Sequence, residues 1–102
     1  MAWPFSGTIN GTVDSQSQDL GMKISSFTLV NREGTGVVAD VYKIKSGGSA
    51  VHIMPSQYLI NSGAMYQATN PTVLLPTETI RVVTNGATDY DFFIENLNTS
   101  DV

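Results

Sequence analysis

Apolar residues in this chain recur in short runs with a period of two, and no stretch places them at helical spacing. The clearest run is the last. Tyr90, Phe92 and Ile94 share one phase, while Asp89, Asp91, Phe93 and Glu95 share the other, the pattern of a half-buried strand. Upstream, Ile80 and Val82 flank Arg81 in the same way, and Thr72 to Leu75 is a compact apolar run ahead of Pro76. Between the last two strands, Thr84-Asn-Gly-Ala-Thr88 reads as a polar hairpin loop, with Asn85-Gly86 as its turn signal.

The stretch from Met22 to Lys45 organises the remainder. Phe27 and Leu29 alternate with Thr28, and Val37 to Ile44 is rich in β-branched residues. Asn31 to Gly36 between them supplies turn formers and two glycines. An antiparallel hairpin is the predicted product. Two irregularities are built into it. Ile24 and Phe27 lie on opposite phases around Ser25-Ser26, so a β-bulge at the serine pair is needed to turn both inward. Val37, Ala39 and Val41 share one face and Asp40, Tyr42 and Ile44 the other, which predicts a further irregularity near Val41.

Ala50 to Met54 predicts a short strand with Val51 and Ile53 inward and His52 outward, ended by Pro55. Gln57 to Ile60 suits one helical turn, and Ala64 to Ala68 a brief strand. About seven short strands without a convincing helix predict an all-β domain, a small antiparallel β-sandwich of jelly-roll or immunoglobulin-like type over residues 22–95. Its predicted core is Phe27, Leu29, Val51, Ile53, Leu75, Ile80, Val82, Tyr90, Phe92 and Ile94, each contributing roughly 1.5–3 kcal/mol when fully buried. Residues 96–102 read as a polar C-terminal tail.

Residues 1–21 differ from the rest. They hold no Lys or Arg, and glycines punctuate them at 7, 11 and 21. They read as an extended N-terminal arm with a short strand around Thr8 to Val13. Two readings stand: a frayed terminus, or an arm that docks on a neighbouring subunit through Trp3, Phe5, Ile9 and Val13. Aromatic residues give large rigid contact areas at interfaces. Phe93, outward if Phe92 is inward, joins these four as a candidate interface residue.

Composition narrows the function. A chain of 102 residues holds one domain. Only 14% of residues are charged, against about 25% usually, so the surface rests on Ser, Thr, Asn and Gln. Such a surface costs less to desolvate and suits packing against other subunits. The net charge of −4 and the scattered five Lys and Arg argue against direct nucleic-acid binding. No apolar run approaches a membrane span, and the N-terminus lacks the basic and apolar regions of a secretory signal. The absence of cysteine excludes disulfides and thiolate metal sites.

Candidate chemistry is sparse. His52 is the only histidine, with no nucleophile and orienting group discernible around it. Asp89, Asp91 and Glu95 share a strand face but stand about 6.5–7 Å apart along it and match no calcium loop. The glycines lie in turn contexts rather than in a phosphate loop. No catalytic residue, cofactor or metal is predicted, and a non-enzymatic protein is expected.

The sequence resembles small β-sandwich structural proteins of tailed bacteriophages, of the capsid decoration or cement type. The resemblance lies in Phe27-Thr-Leu-Val-Asn31 leading to Val41-Tyr42, in Tyr58-Leu59 with Gly63, in Leu74-Leu75 followed by Glu78-Thr-Ile80, and in Asp89-Tyr-Asp-Phe-Phe-Ile94. It covers residues 22–95. It implies a virion subunit, assembled in the host cytoplasm, that stabilises the shell by binding major capsid protein or other virion subunits and that forms homo-oligomers. The alternatives are a head–tail or tail accessory protein, or a carbohydrate-binding β-sandwich module of a viral appendage.

Overall fold

A computed structural model describes residues 6–14 and 22–96. Among them are eight strands: β1 (Ser6–Asp14), β2 (Met22–Asn31), β3 (Val37–Ile44), β4 (Ala50–His52), β5 (Tyr58–Ile60), β6 (Met65–Ala68), β7 (Thr72–Leu74) and β8 (Thr79–Asn96). All pair antiparallel into one sheet. The sheet curls into a half-barrel, broadly sandwich-like, with its core on the inner face.

The axis of the fold is β8, whose 18 residues run unbroken through the stretch predicted to be a hairpin loop. Its inner face is Ile80, Val82, Thr84, Gly86, Thr88, Tyr90 and Phe92, all buried. The polar middle survives burial because its hydrogen bonds are made locally. The Thr84 and Thr88 hydroxyls both donate to the Gly86 carbonyl, at 3.0 and 2.9 Å. Asn85 points outward and accepts the Val38 N–H at 2.9 Å. Buried polar atoms that find such partners cost little.

The predicted β2–β3 hairpin is also corrected. Both strands pair with β8, from Met22↔Asn96 to Asn31↔Thr88 and then from Ala39↔Thr84 to Ile44↔Thr79. They lie end to end along one margin of β8, and β1 occupies the other margin over both halves. Residues 32–36 therefore bridge two collinear strands rather than reverse the chain. Asn31 holds this bridge from inside. Its side-chain amide donates to the carbonyls of Thr35 and Ile60, each at 2.8 Å, and its oxygen accepts the Glu33 N–H at 2.6 Å. Glu33 in turn accepts the Ala87 N–H at 2.6 Å, and the Ala87 carbonyl accepts the Arg32 N–H. Gly86 permits this close approach: a Cβ would come within 2.8 Å of a Val37 methyl and 2.9 Å of Glu33 Cγ, so one of those side chains would have to shift.

The bulge demanded by Ser25-Ser26 is present: the β2–β8 register shifts between Ile24 and Ser26, and Ile24 and Phe27 are both buried. No irregularity occurs near Val41, because β3 keeps one register along β8 while Val37, Ala39 and Val41 are buried. Gln57 to Ile60 is not a helical turn; Gln57 has a φ of 51° and Tyr58–Ile60 pair with β3 as β5. Two members of the predicted core lie outside it. Val51 is exposed on the three-residue β4, and Leu75 is exposed where the chain turns at Pro76, leaving Leu74 buried instead. That turn is fixed by Glu78, which accepts the Leu75 N–H at 2.9 Å and faces Lys43 Nζ at 3.7 Å.

The N-terminal arm needs the largest revision. Its described part, Ser6–Asp14, is a full strand of the sheet rather than a separate arm. Ile9 is in the core and Val13 packs against it. The boundary predicted at residue 21 therefore does not separate β1 from the domain. At the other end, Asn96 still belongs to β8, and residues 97–102 lie outside the described residues.

Candidate interaction surfaces

The five predicted interface residues do not come together. Trp3 and Phe5 lie outside the described residues. Ile9 and Val13 face inward, where the apolar partners are their own chain's: Ile9 sits opposite Thr88 and Val13 opposite Val82. As anchors on a neighbouring subunit they are corrected to members of this chain's core. Phe93 is where alternation places it, on the outer face of β8 and 63% exposed, beside Ser26 of β2.

Other apolar side chains share that exposure. Met65, Leu75 and Leu59 are more than half exposed, and Val51, Val73 and Tyr58 are also open. Met65 sits opposite Val30, which sits opposite Asp89, so this row crosses the outer face of the same half of the sheet that carries Phe93. Tyr58 packs against Tyr66 with ring centroids 4.8 Å apart, and Tyr66 reaches the core through Phe27 at 6.0 Å. The sequence signalled Phe93 through alternation. Met65 and Leu59 were missed because their strands are too short for the phase to be read.

The outer face of the other half carries a polar row beside the outward-phase apolar residues Val38, Leu59 and Val83. Strand register aligns Asp14, Arg81, Tyr42 and His52 in one row across β1, β8, β3 and β4. Arg81 donates from Nε and Nη2 to the two carboxylate oxygens of Asp14, at 2.7 and 2.9 Å. These bonds, with a further one to Tyr42, raise the Arg81 pKa above its ordinary value. Tyr42 and His52 rings lie 5.0 Å apart, and His52 Nε2 is 3.3 Å from Asp40. Asp40 also accepts the Gln57 N–H at 2.6 Å, fixing the loop before β5. His52 thus has a carboxylate neighbour that the sequence alone did not assign.

Thr8, Arg32 and Asp89 form a second outer cluster. The Thr8 hydroxyl donates to Asp89 at 2.5 Å, and Arg32 approaches the same carboxylate at 3.3 Å. The hydroxyl first, then the guanidinium, hold the Asp89 pKa below its ordinary value. Asp89 and Asp91 do not converge on a metal geometry, and among the described residues no group of three His, Cys, Asp or Glu does.

No family model matches the chain, and no curated protein matches it. Two of the solved structures it matches are distant likenesses. The Anabaena sensory rhodopsin transducer aligns over 84% of this chain and 96% of its own, at 9% identity and a TM-score of 0.45. The structure of infectious bursal disease virus Gx strain aligns over 88% of this chain but 28% of the viral chain, at 15% identity and a TM-score of 0.45. No family follows from these likenesses. Functional reading therefore rests on the surfaces themselves.

Proposed function

We propose that the chain is a non-enzymatic structural subunit that acts by binding other protein subunits, in its specific form an accessory decoration subunit of a bacteriophage virion. The observation that carries this reading is the exposure of Phe93, Met65 and Val73 on the outer face of one half of the sheet, where they stand among Asp89 and Asp91. Large apolar side chains grouped on one exposed face mark a surface meant to be covered. The jelly-roll or immunoglobulin-like comparison belongs to the same proposal, with the curled sheet as a half-barrel variant of those sandwiches. Major capsid protein, or a head–tail or tail component, would supply the covering surface.

Mixing the purified protein with undecorated shells should give saturable, stoichiometric binding, and Phe93→Ser should weaken it while leaving the circular dichroism spectrum unchanged. Absence of binding to shells and tails alike would sink the virion assignment. A second reading draws on the Tyr42–His52 pair flanked by Asp40 and Arg81. Ring faces beside fixed hydrogen-bonding groups suit a sugar, as in a carbohydrate-binding module of a viral appendage. Glycan binding abolished by Tyr42→Ala but unaffected by Phe93→Ser would favour it.

A further inference from the structure

We propose that the outer edge of β1 pairs with the β1 of a second copy of this chain, antiparallel about a two-fold axis at Asn10, joining two curled sheets into one. The two margins of the sheet differ in a way that selects this edge. One margin is broken into β4, β5, β6 and β7, of three, three, four and three residues, with Pro55, Pro71 and Pro76 in the connections. Short strands and prolines are the usual protection against edge pairing. The other margin is β1 alone, nine residues long and without Pro, Lys or Arg. Among the described residues it pairs only with β8.

An antiparallel edge strand directs about half of its backbone N–H and C=O groups away from its one neighbour. The register irregularity opposite Asn10 lies in β1 as well, where Gly11 has a φ of 127°, so the contact rests on the two stretches of continuous register on either side of Asn10, Ser6–Ile9 and Gly11–Asp14. Ile9↔Thr88 and Gly11↔Thr84 leave one residue of β1 facing three of β8. The extra residues of β8 are taken up toward the β2–β3 bridge, where Asn85, Gly86 and Ala87 meet Val38, Val37, Glu33 and Arg32.

A second copy suits the side chains. Ser6, Thr8, Asn10, Thr12 and Asp14 form the exposed face of β1. A two-fold axis at Asn10 sets Thr8 opposite Thr12 of the second copy, Asn10 opposite Asn10, and Ser6 opposite Asp14. The one charge on the strand then meets a serine rather than its own copy. Small hydroxyl and amide pairs are favourable across antiparallel strands, whereas like charges directly opposed are not. The contact is copy to copy, so it does not depend on any shell or tail.

Sedimentation of the purified full chain, without shells, should show a dimer. Asn10→Lys, which opposes two lysines across the axis, should weaken self-association roughly tenfold with the circular dichroism spectrum unchanged. The chain has no cysteine, so Asn10→Cys under mild oxidation should give a covalent dimer, and Gln67→Cys, on the exposed face of β6, should not. A monomer at every soluble concentration would overturn the proposal. So would a dimer that Asn10→Lys leaves intact and Asn10→Cys fails to cross-link, because the contact would then lie elsewhere.

Discussion

Between Tyr90 and Ile94 the inner face of β8 is apolar, whereas between Thr84 and Thr88 the same face carries threonine, glycine and threonine. The backbone alternates without a break through both. The first region is held by ring packing: Phe92 stacks on Phe27 with centroids 4.9 Å apart and planes at 17°, and Tyr90 meets Phe92 edge-on at 6.1 Å. The second is held by hydrogen bonds onto one carbonyl and by the Asn31–Glu33 bridge. Strand geometry is thus common to both, and the source of stability is not. Packing tolerates some loss of shape but loses much energy with each deleted ring. A polar junction loses less per group, but its effect is confined to the groups left without partners.

The largest expected effect is in the aromatic region. Phe92→Ala removes a buried ring from the Phe27–Tyr90 cluster and should cost about 3–5 kcal/mol by denaturant unfolding. A cost below about 1 kcal/mol would be typical of a surface site and would erase the distinction between the regions.

Asn31→Ala tests the junction. It removes both donors to Thr35 and Ile60 and the acceptor of Glu33, and should cost about 1–3 kcal/mol. Hydrogen exchange should localise the damage, with the Glu33 and Ala87 amides exchanging faster while the amides of Tyr90 and Phe92 keep their protection relative to global stability. A loss larger than that of Phe92→Ala, spread over all of β8, would make the junction rather than the aromatic cluster the dominant support.

The same contrast explains what could be read from the sequence. Tyr90–Ile94, Ile80–Val82 and the serine bulge were legible because hydrophobicity tracks alternation there. At Thr84, Gly86 and Thr88 it does not, so a continuous strand looked like a loop, and Asn85-Gly86 supplied a turn signal for a turn that is absent. The misplaced hairpin follows from that error. Without an 18-residue β8 to pair with, β2 and β3 had only each other. For a related reason, neither reading of the N-terminal segment places Ile9 and Val13 in the core: the inner face they cover belongs to a strand whose middle is polar. The polar row from Asp14 to His52 draws one residue from each of four strands, and it becomes visible only once their registers are known.

The smallest effect tests the two faces of β8 at adjacent residues. Outward, Asp89 is held below its ordinary pKa of 3.8 by the Thr8 hydroxyl and then by Arg32; inward, burial raises the Tyr90 pKa above 10.0. The folded chain binds the Asp89 proton less tightly than the unfolded chain does. Its stabilising contribution is therefore present above the ordinary carboxylate range and is lost as pH falls through the folded value. Tyr90 behaves in the opposite sense: its contribution is present below about 10 and is lost as pH rises through its folded value. Titration followed by carboxyl and ring resonances should show the two midpoints displaced in opposite directions. Thr8→Val should bring the Asp89 midpoint back toward 3.8, because the largest cause of its displacement is gone, and should leave Tyr90 where it was. Salt should act on Asp89 only through the Arg32 contribution, which is exposed and screened, and not through the hydroxyl. If Thr8→Val moved both midpoints together, β1 would be setting the burial of Tyr90 as well as the field at Asp89, and the two faces of β8 would not be independent.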